Sequence, residues 1–141
     1  MTPDAPPVVD APRSNPSRAR SVARGVTAAF FIAAGVNHFV KPDFYAKIIP
    51  PGFPAPAALV AISGVAEVAG GVGLLIPRLR RAAGWGLIAL LVAVFPANVF
   101  MAVAPQRIPG LNFPQWSLWA RLPLQPLMAA WVWWVARLGR K

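Results

Sequence analysis

Glu67 is the residue of this sequence whose position most clearly requires a chemical explanation. It is the only formal charge in an apolar run of 22 residues, 55–76, which is long enough to cross a bilayer. A carboxylate at such a depth costs roughly 2.5–3.5 kcal/mol, so it must pair, stay protonated or face a polar cavity. Two interpretations are open: a carboxyl group that locks helix packing, or a site that binds a ligand or handles protons.

Other polar side chains occur in or beside the apolar runs. Counted from the ends that the topology below places outside, His38 lies ~3 Å deep, Asn98 and Arg121 ~8 Å, Gln125 ~14 Å and Glu67 ~18 Å. The heights predict a descending polar series in which Arg121 extends toward Glu67 and Gln125 hydrogen-bonds it. The predicted ligand-binding or proton-handling site comprises six residues: Glu67, Arg121, Gln125, Asn98, His38 and Asn37.

Each of these positions also has a purely structural explanation. Arg121 is near enough to the surface to extend its charged end into water. His38 lies near an interface, where a histidine commonly hydrogen-bonds a helix end. Asn98 follows Pro96 and could satisfy carbonyl groups that the proline leaves unpaired.

The composition indicates which elements position these groups. The chain of 141 residues is 57% hydrophobic and 13% charged, with a mean hydropathy of +0.54, as expected for membrane helices. Four apolar runs, 22–40, 55–76, 82–103 and 116–136, each approach the ~20 residues that span a bilayer. The prediction is an all-α integral membrane four-helix bundle over residues 22–138, preceded by a disordered Pro/Arg-rich tail, 1–21.

The placement of charge predicts the topology. The net charge is +10, and ten of the fourteen basic residues fall on one face: Arg13, Arg18, Arg20, Arg24, Arg78, Arg80, Arg81, Arg137, Arg140 and Lys141. The opposite connections carry Lys41, Lys47 and Arg107, so the positive-inside rule places both termini in the cytoplasm. The predicted partner of the basic face is anionic lipid, not nucleic acid.

The tryptophans support this topology. Four fall toward the predicted cytoplasmic interface and two toward the outer one: Trp85, Trp131, Trp133 and Trp134, and Trp116 and Trp119. None lies at mid-membrane. A soluble bundle would more often place tryptophans in its core.

The residue types that are missing exclude several chemistries. The chain has no cysteine and a single histidine. It therefore cannot supply a thiolate metal site, a cysteine-ligated cluster or a bis-histidine haem from one copy. No metal site and no cofactor built from this chain is predicted. A redox centre would have to be a bound organic carrier or belong to a partner protein.

Small residues predict which helices pack closely. One stripe in the second run comprises Ser63, Ala66, Glu67, Gly70 and Gly71, and one in the first comprises Gly25, Ala28, Ala29 and Ala33. After the first run, Pro42 can start a short helix whose apolar side chains form an interfacial segment: Phe44, Tyr45, Ile48 and Ile49. This segment is predicted to cover the mouth of the polar series.

Several segments together resemble the DoxX/DoxX-like family of small four-helix bacterial membrane proteins. They are Gly35-Val-Asn-His38-Phe, Lys41-Pro-Asp-Phe, Ile49-Pro-Pro, Ile62-Ser-Gly-Val-Ala-Glu67-Val-Ala-Gly-Gly71-Val-Gly-Leu-Leu-Ile-Pro77, Phe95-Pro-Ala-Asn98-Val-Phe-Met and Arg121-Leu-Pro-Leu-Gln125. The resemblance covers residues 22–138. It implies a location in the bacterial inner membrane, and some relatives are subunits of quinone-linked oxidoreductase systems.

The functional expectation combines this resemblance with the polar series. It is an accessory or membrane subunit of a quinone-linked redox system, with a lipophilic ligand, a quinone, in the outer half of the bundle and a redox partner protein. A small solute or proton-coupled transporter is the alternative, for which four helices would need a homo-oligomer. A ligand-free membrane scaffold is a third interpretation.

Overall fold

The computed structural model describes residues 16–136, which form helices and connections without any strand. Five α-helices follow in order: α1 Pro16–Val40, α2 Pro42–Lys47, α3 Pro56–Leu75, α4 Arg80–Val103 and α5 Gln115–Ala136. A 3-10 turn, Pro105–Arg107, lies between α4 and α5. The prediction of an all-α fold with four long helices is confirmed for this range. Most of the predicted tail, residues 1–15, and residues 137–138 of the predicted domain lie outside it.

The first helix begins earlier than the apolar pattern predicts. α1 starts at Pro16 and not near residue 22, so residues 16–21 are helical and not part of a disordered tail. Proline is well tolerated in the first turn of a helix, and the arginines and alanine that follow are good helix formers. The apolar pattern marks only the part of α1 that is suited to lipid.

α1 and α3 form the most extensive helix interface, and glycines allow it. A Cβ atom on Gly35 would lie 2.6 Å from the carbonyl oxygen of Gly64, and one on Gly71 would lie 2.8 Å from the carbonyl oxygen of Ala28. The backbones therefore approach as closely as small residues permit. Gly25, which belongs to the predicted stripe, has nothing within 4 Å and does not contribute to this interface.

Two buried apolar clusters hold the ends of the bundle. One joins all four long helices through Ala28, Phe31, Leu74, Leu87, Val132 and Ala136. The other joins the α2 segment to the α4–α5 end through Ile48, Met101, Ala102, Ile108 and Leu118. Side chains that pack against each cluster, Leu91 and Met128 at the first and Phe44 and Tyr45 at the second, face a common cavity.

The outer surface of the described helices is strongly apolar. Val26, Ile62, Val92 and Leu127, one on each long helix, are all more than 60% exposed. Three segments are long and apolar enough to cross a membrane: residues Arg18–Val40 of α1, the whole of α3 and the whole of α4. α5 has a similar length but is not among these three candidate spans, and Arg121, Gln125 and two prolines interrupt its apolar sequence.

Candidate functional site

A cavity of about 690 Å³ lies among the four long helices, with α2 beside it. All six residues of the predicted site line it: Asn37, His38, Glu67, Asn98, Arg121 and Gln125. They come from α1, α3, α4 and α5, so no single helix could produce this arrangement. The structure therefore brings the predicted residues together around one space.

Glu67 and His38 form the central polar contact of the cavity. His38 Nε2 lies 3.6 Å from Glu67 Oε2, and the two side chains are 9% and 15% exposed. The other imidazole nitrogen, Nδ1, lies 3.1 Å from the carbonyl oxygen of Val60 in α3. The ring is thus fixed between two groups of α3, and it holds the carboxylate on the cavity side of the α1–α3 interface.

The prediction that Arg121 and Gln125 contact Glu67 is wrong in this structure. The guanidinium of Arg121 lies over the ring of Phe113, 4.9 Å from its centroid, and forms no ion pair with Glu67. Gln125 hydrogen-bonds groups of α4 and not the carboxylate. Glu67 Oε2 is buried and has no hydrogen-bond partner within residues 16–136. Within the described residues, His38 is the one ionisable side chain at ion-pair distance from Glu67.

Asn98 and Gln125 join α4 to α5 at the cavity wall. The Asn98 amide donates to Gln125 Oε1 at 3.1 Å, and Gln125 Nε2 donates to the carbonyl oxygen of Leu91 at 2.6 Å. Pro96 has no N–H group, so the helical ladder lacks a donor at the carbonyl of Val92, the residue after Leu91. The pair therefore stabilises the interface of two proline-containing helices, and part of its donor capacity is already used.

Tyr45 is a cavity residue that the polar series does not include. Its ring stacks on the His38 imidazole with centroids 3.9 Å apart, and its hydroxyl oxygen accepts a hydrogen bond of 2.9 Å from the Asn37 amide. The short helix α2 begins at Pro42, as predicted, and presents this side chain. The amphipathic pattern of α2 predicts that this segment covers the mouth of the polar series, but it does not predict the contact between Tyr45 and His38.

The remaining walls of the cavity are largely apolar. Aliphatic and aromatic side chains from the long helices provide them: Phe30, Ala34, Leu91, Val94, Leu124 and Met128. Polar groups are therefore few, and they lie near α2 and Glu67 and along the wall formed by α4 and α5. Such a cavity suits a molecule that is mostly apolar and has a small polar end.

α1 and α5 contact each other mainly at one end. Arg24 Nε donates to the carbonyl oxygen of Val135 at 3.1 Å, and Trp131 Nε1 donates to Thr27 Oγ1 at 2.8 Å. Further along α1, Phe30 is 54% exposed, and on α5 Leu124 is 57% exposed, yet both line the cavity. The cavity therefore reaches the outer apolar surface between these two helices.

The fold and the site together define a class of protein: an all-helical bundle with long apolar helices around a largely apolar cavity that contains a few polar side chains. Within this class, residues 27–136 match the family described as Domain of unknown function (DUF8561), and the chain belongs to that family. The matched range contains every residue that lines the cavity. No curated protein and no solved structure matches the chain.

Proposed function

We propose that the protein is a multi-pass membrane protein of the bacterial inner membrane, with all four long helices spanning the bilayer. The exposed apolar side chains on every long helix support this, because a surface of that kind is unfavourable in water. For α5, the inward position of its polar groups supports spanning. Gln125 is buried and Arg121 half-buried, while Leu124 and Leu127 are exposed.

The aromatic and basic residues support an orientation with both termini in the cytoplasm. Trp85 packs against Trp133 with centroids 5.2 Å apart, and the Arg20 guanidinium lies 5.1 Å from the ring centroid of Trp134. The arginine-rich starts of α1 and α4 thus adjoin the end of α5 and its tryptophans. Such an end suits the anionic headgroups of the cytoplasmic leaflet.

The proposed function is binding of a lipophilic carrier with a polar ring, a quinone, as the membrane subunit of a quinone-linked redox system. The observation that supports it best is the apolar cavity in which the His38–Glu67 pair is the main polar contact. A quinone has a ring with two carbonyl acceptors and an apolar tail. The tail would leave between α1 and α5, where the cavity reaches the apolar surface.

The donors that a quinone needs are present in the cavity. Arg121 is held by the face of Phe113, which leaves its N–H groups available to an acceptor. Tyr45 uses its oxygen as an acceptor for Asn37, so its own hydrogen can be donated. The resemblance to the DoxX family supports the redox part of the proposal, and the electrons would come from a partner protein.

A transporter fits the structure less well. The buried cluster around Phe31, Leu74 and Val132 fills the bundle between the cavity and the basic end. A solute path would have to pass through these packed side chains. The cavity therefore has the form of a binding site that is reached from one side.

The test is mass spectrometry of the small molecules that copurify with the full chain in native-lipid discs. Glu67→Ala and Arg121→Ala change the cavity. Asp43→Ala and Arg107→Ala are the matched controls, because these charged residues do not line it. We expect a quinone with the wild type and both controls, and its loss from both cavity variants.

Two results would contradict the proposal. If only phospholipids copurify with the wild type, the bundle is a scaffold. If all five proteins retain the same amount of quinone, the molecule is bound elsewhere. Helix content and a single size-exclusion peak, measured for every variant, would separate loss of binding from loss of the fold.

A further inference from the structure

His38 is held in one tautomer by the backbone of α3. Nδ1 lies 3.1 Å from the carbonyl oxygen of Val60, and because a carbonyl oxygen only accepts, Nδ1 carries a hydrogen. The other nitrogen, Nε2, then has a lone pair in the neutral imidazole and a hydrogen only in the imidazolium. Nε2 is the atom that faces the Glu67 carboxylate.

Glu67 Oε2 is the complementary half of the pair. It is buried 3.6 Å from Nε2 and has no hydrogen-bond partner in the described part of the chain. A buried acceptor without a partner is unfavourable. One proton between the two atoms removes this cost, and a shift of roughly half an ångström brings them into hydrogen-bond range.

The proton can reside on either member of the pair. On Oε2 it makes a neutral carboxyl group that donates to Nε2, and on Nε2 it makes an imidazolium that donates to the carboxylate. Both arrangements have a net charge of zero, which is favourable in an apolar surrounding. Without the proton, a carboxylate lies beside a lone pair, and two negative regions face each other.

The other titratable side chains of the cavity do not form an ion pair with Glu67 that would take the place of this proton. Lys41, Tyr45 and Arg121 also line the cavity, and α4 contributes no titratable group to its lining. Arg121 lies over Phe113, and Tyr45 stacks on the His38 ring. In residues 16–136, His38 is the only ion-pair partner of Glu67.

We propose that His38 and Glu67 hold one exchangeable proton and transfer it to an oxygen of the ligand in the cavity. The receiving group is a phenolate-type oxygen, such as the anion of a hydroquinone. In this step the proton is on the carboxyl group, which turns its protonated oxygen from His38 toward the cavity; that O–H bond breaks and an O–H bond forms on the ligand. The pair passes from zero to one negative charge, and no electron moves. The ligand class rests on the proposed function, whereas the shared proton rests on the geometry alone.

The exposed part of Glu67 allows the transfer. Its side chain is 15% exposed and lines the cavity, although Oε2 itself is buried against His38. A ligand can therefore contact the carboxyl group while the imidazole holds its far side.

The composition of the chain makes a direct test feasible. It contains one histidine and one glutamate, so selective labelling yields a single residue of each type. We would label the full chain with 15N-histidine and 13C-glutamate, purify it with a tag that lacks histidine, and record NMR spectra in lipid discs. The shifts of Nδ1, Nε2 and the carboxyl carbon report which atoms carry protons.

At neutral pH and without ligand, we expect a proton on Nδ1 and a single proton divided between Nε2 and the carboxyl group. Glu67→Gln is expected to leave Nδ1 protonated and Nε2 without a hydrogen. Asp43→Asn, which removes an exposed carboxylate of α2, should leave the His38 and Glu67 signals unchanged. A short-chain hydroquinone with an electron-withdrawing substituent, which is partly ionised at neutral pH, should take the proton and shift the Nε2 and carboxyl signals together toward those of the deprotonated pair.

Three results would overturn the proposal. The first is an ionised carboxylate beside an unprotonated Nε2 at neutral pH, and the second is a neutral ring with its hydrogen on Nε2. The third is a shared proton that does not respond to the added hydroquinone although the ligand's own signals show that it occupies the cavity. Absence of a copurified quinone would instead contradict only the proposed function, because the ligand-free spectra do not depend on it.

Discussion

Gly35 on α1 and Gly64 on α3 lie so close that a Cβ atom on Gly35 would be 2.6 Å from the carbonyl oxygen of Gly64. The same atom would be 2.9 Å from the Cβ of Glu67, and a Cβ on Gly64 would be 2.9 Å from that of His38. The close approach of two backbones therefore sets the distance between the acid and the imidazole. The glycines are structural residues on which the site geometry depends.

The first prediction concerns this contact. Gly35→Ala should destabilise the bundle by about 1–3 kcal/mol, because the added methyl group meets backbone and cannot be avoided by a rotamer change. Gly86→Ala is the matched control, since a Cβ there has nothing within 4 Å. Reversible unfolding in mixed micelles measures both. Equal stability of the two variants would show that α1 and α3 are not packed this closely.

The second prediction concerns Tyr45 as the cover of the imidazole. Tyr45→Ala should increase the rate at which diethyl pyrocarbonate modifies His38, which is only 8% exposed. Mass spectrometry of the peptide that contains the single histidine gives this rate. Phe53→Ala is the control, because Phe53 is an exposed aromatic residue that does not line the cavity. An unchanged rate for Tyr45→Ala would mean that α2 does not cover His38.

The third prediction concerns the amide pair between α4 and α5. Asn98→Leu and Gln125→Leu should each cost about 1 kcal/mol, because each leaves a polar partner unsatisfied in an apolar surrounding. The double variant should cost less than the sum of the two, since it removes both partners. Gln106→Leu, at an exposed position between these helices, should be nearly neutral. Strict additivity in unfolding measurements would argue against the hydrogen bond.

The fourth prediction concerns membrane topology. Because the chain has no cysteine, single cysteines can be introduced without background labelling. An impermeant maleimide added to intact spheroplasts should label Asn112→Cys, before α5, and should label Ala82→Cys, near the start of α4, only after lysis. Both positions are exposed. The opposite pattern would reverse the proposed orientation.

The grouping of the polar residues around one cavity could be predicted from their heights along the helices, but their partners could not. A rise of 1.5 Å per residue gives the height of His38, Gln125 and Glu67 along their helices. It does not give the direction in which each helix turns its side chains. The heights therefore predict Glu67 as the partner of Arg121 and Gln125, whereas the structure places these side chains on Phe113 and on α4.

Helix packing was predictable in kind but not in register. The small-residue stripe of α3 is used as predicted, since Gly70 packs against Leu87 and Gly71 against α1. On α1 the predicted stripe is used only in part, because Ala28 meets Gly71 while Gly25 is open, and the close contact of Gly35 lies beyond the stripe. Small residues occur at both heights, and only the three-dimensional register of the two helices distinguishes between them.

The prolines of the bundle are distributed unequally around the cavity. α4 contains Pro96 and α5 contains Pro123 and Pro126, whereas α3 has a proline only at its start and α1 is joined to it by glycine contacts. One wall is consequently stiff and keeps the acid and imidazole in place, while the opposite wall contains three breaks in its hydrogen-bond ladder. If the cavity holds a ligand as proposed, bending of α4 and α5 would adapt it to molecules of different width without displacing the His38–Glu67 pair. The groups proposed to exchange the proton and the proline-containing wall opposite them thus lie on different helices of the same small bundle.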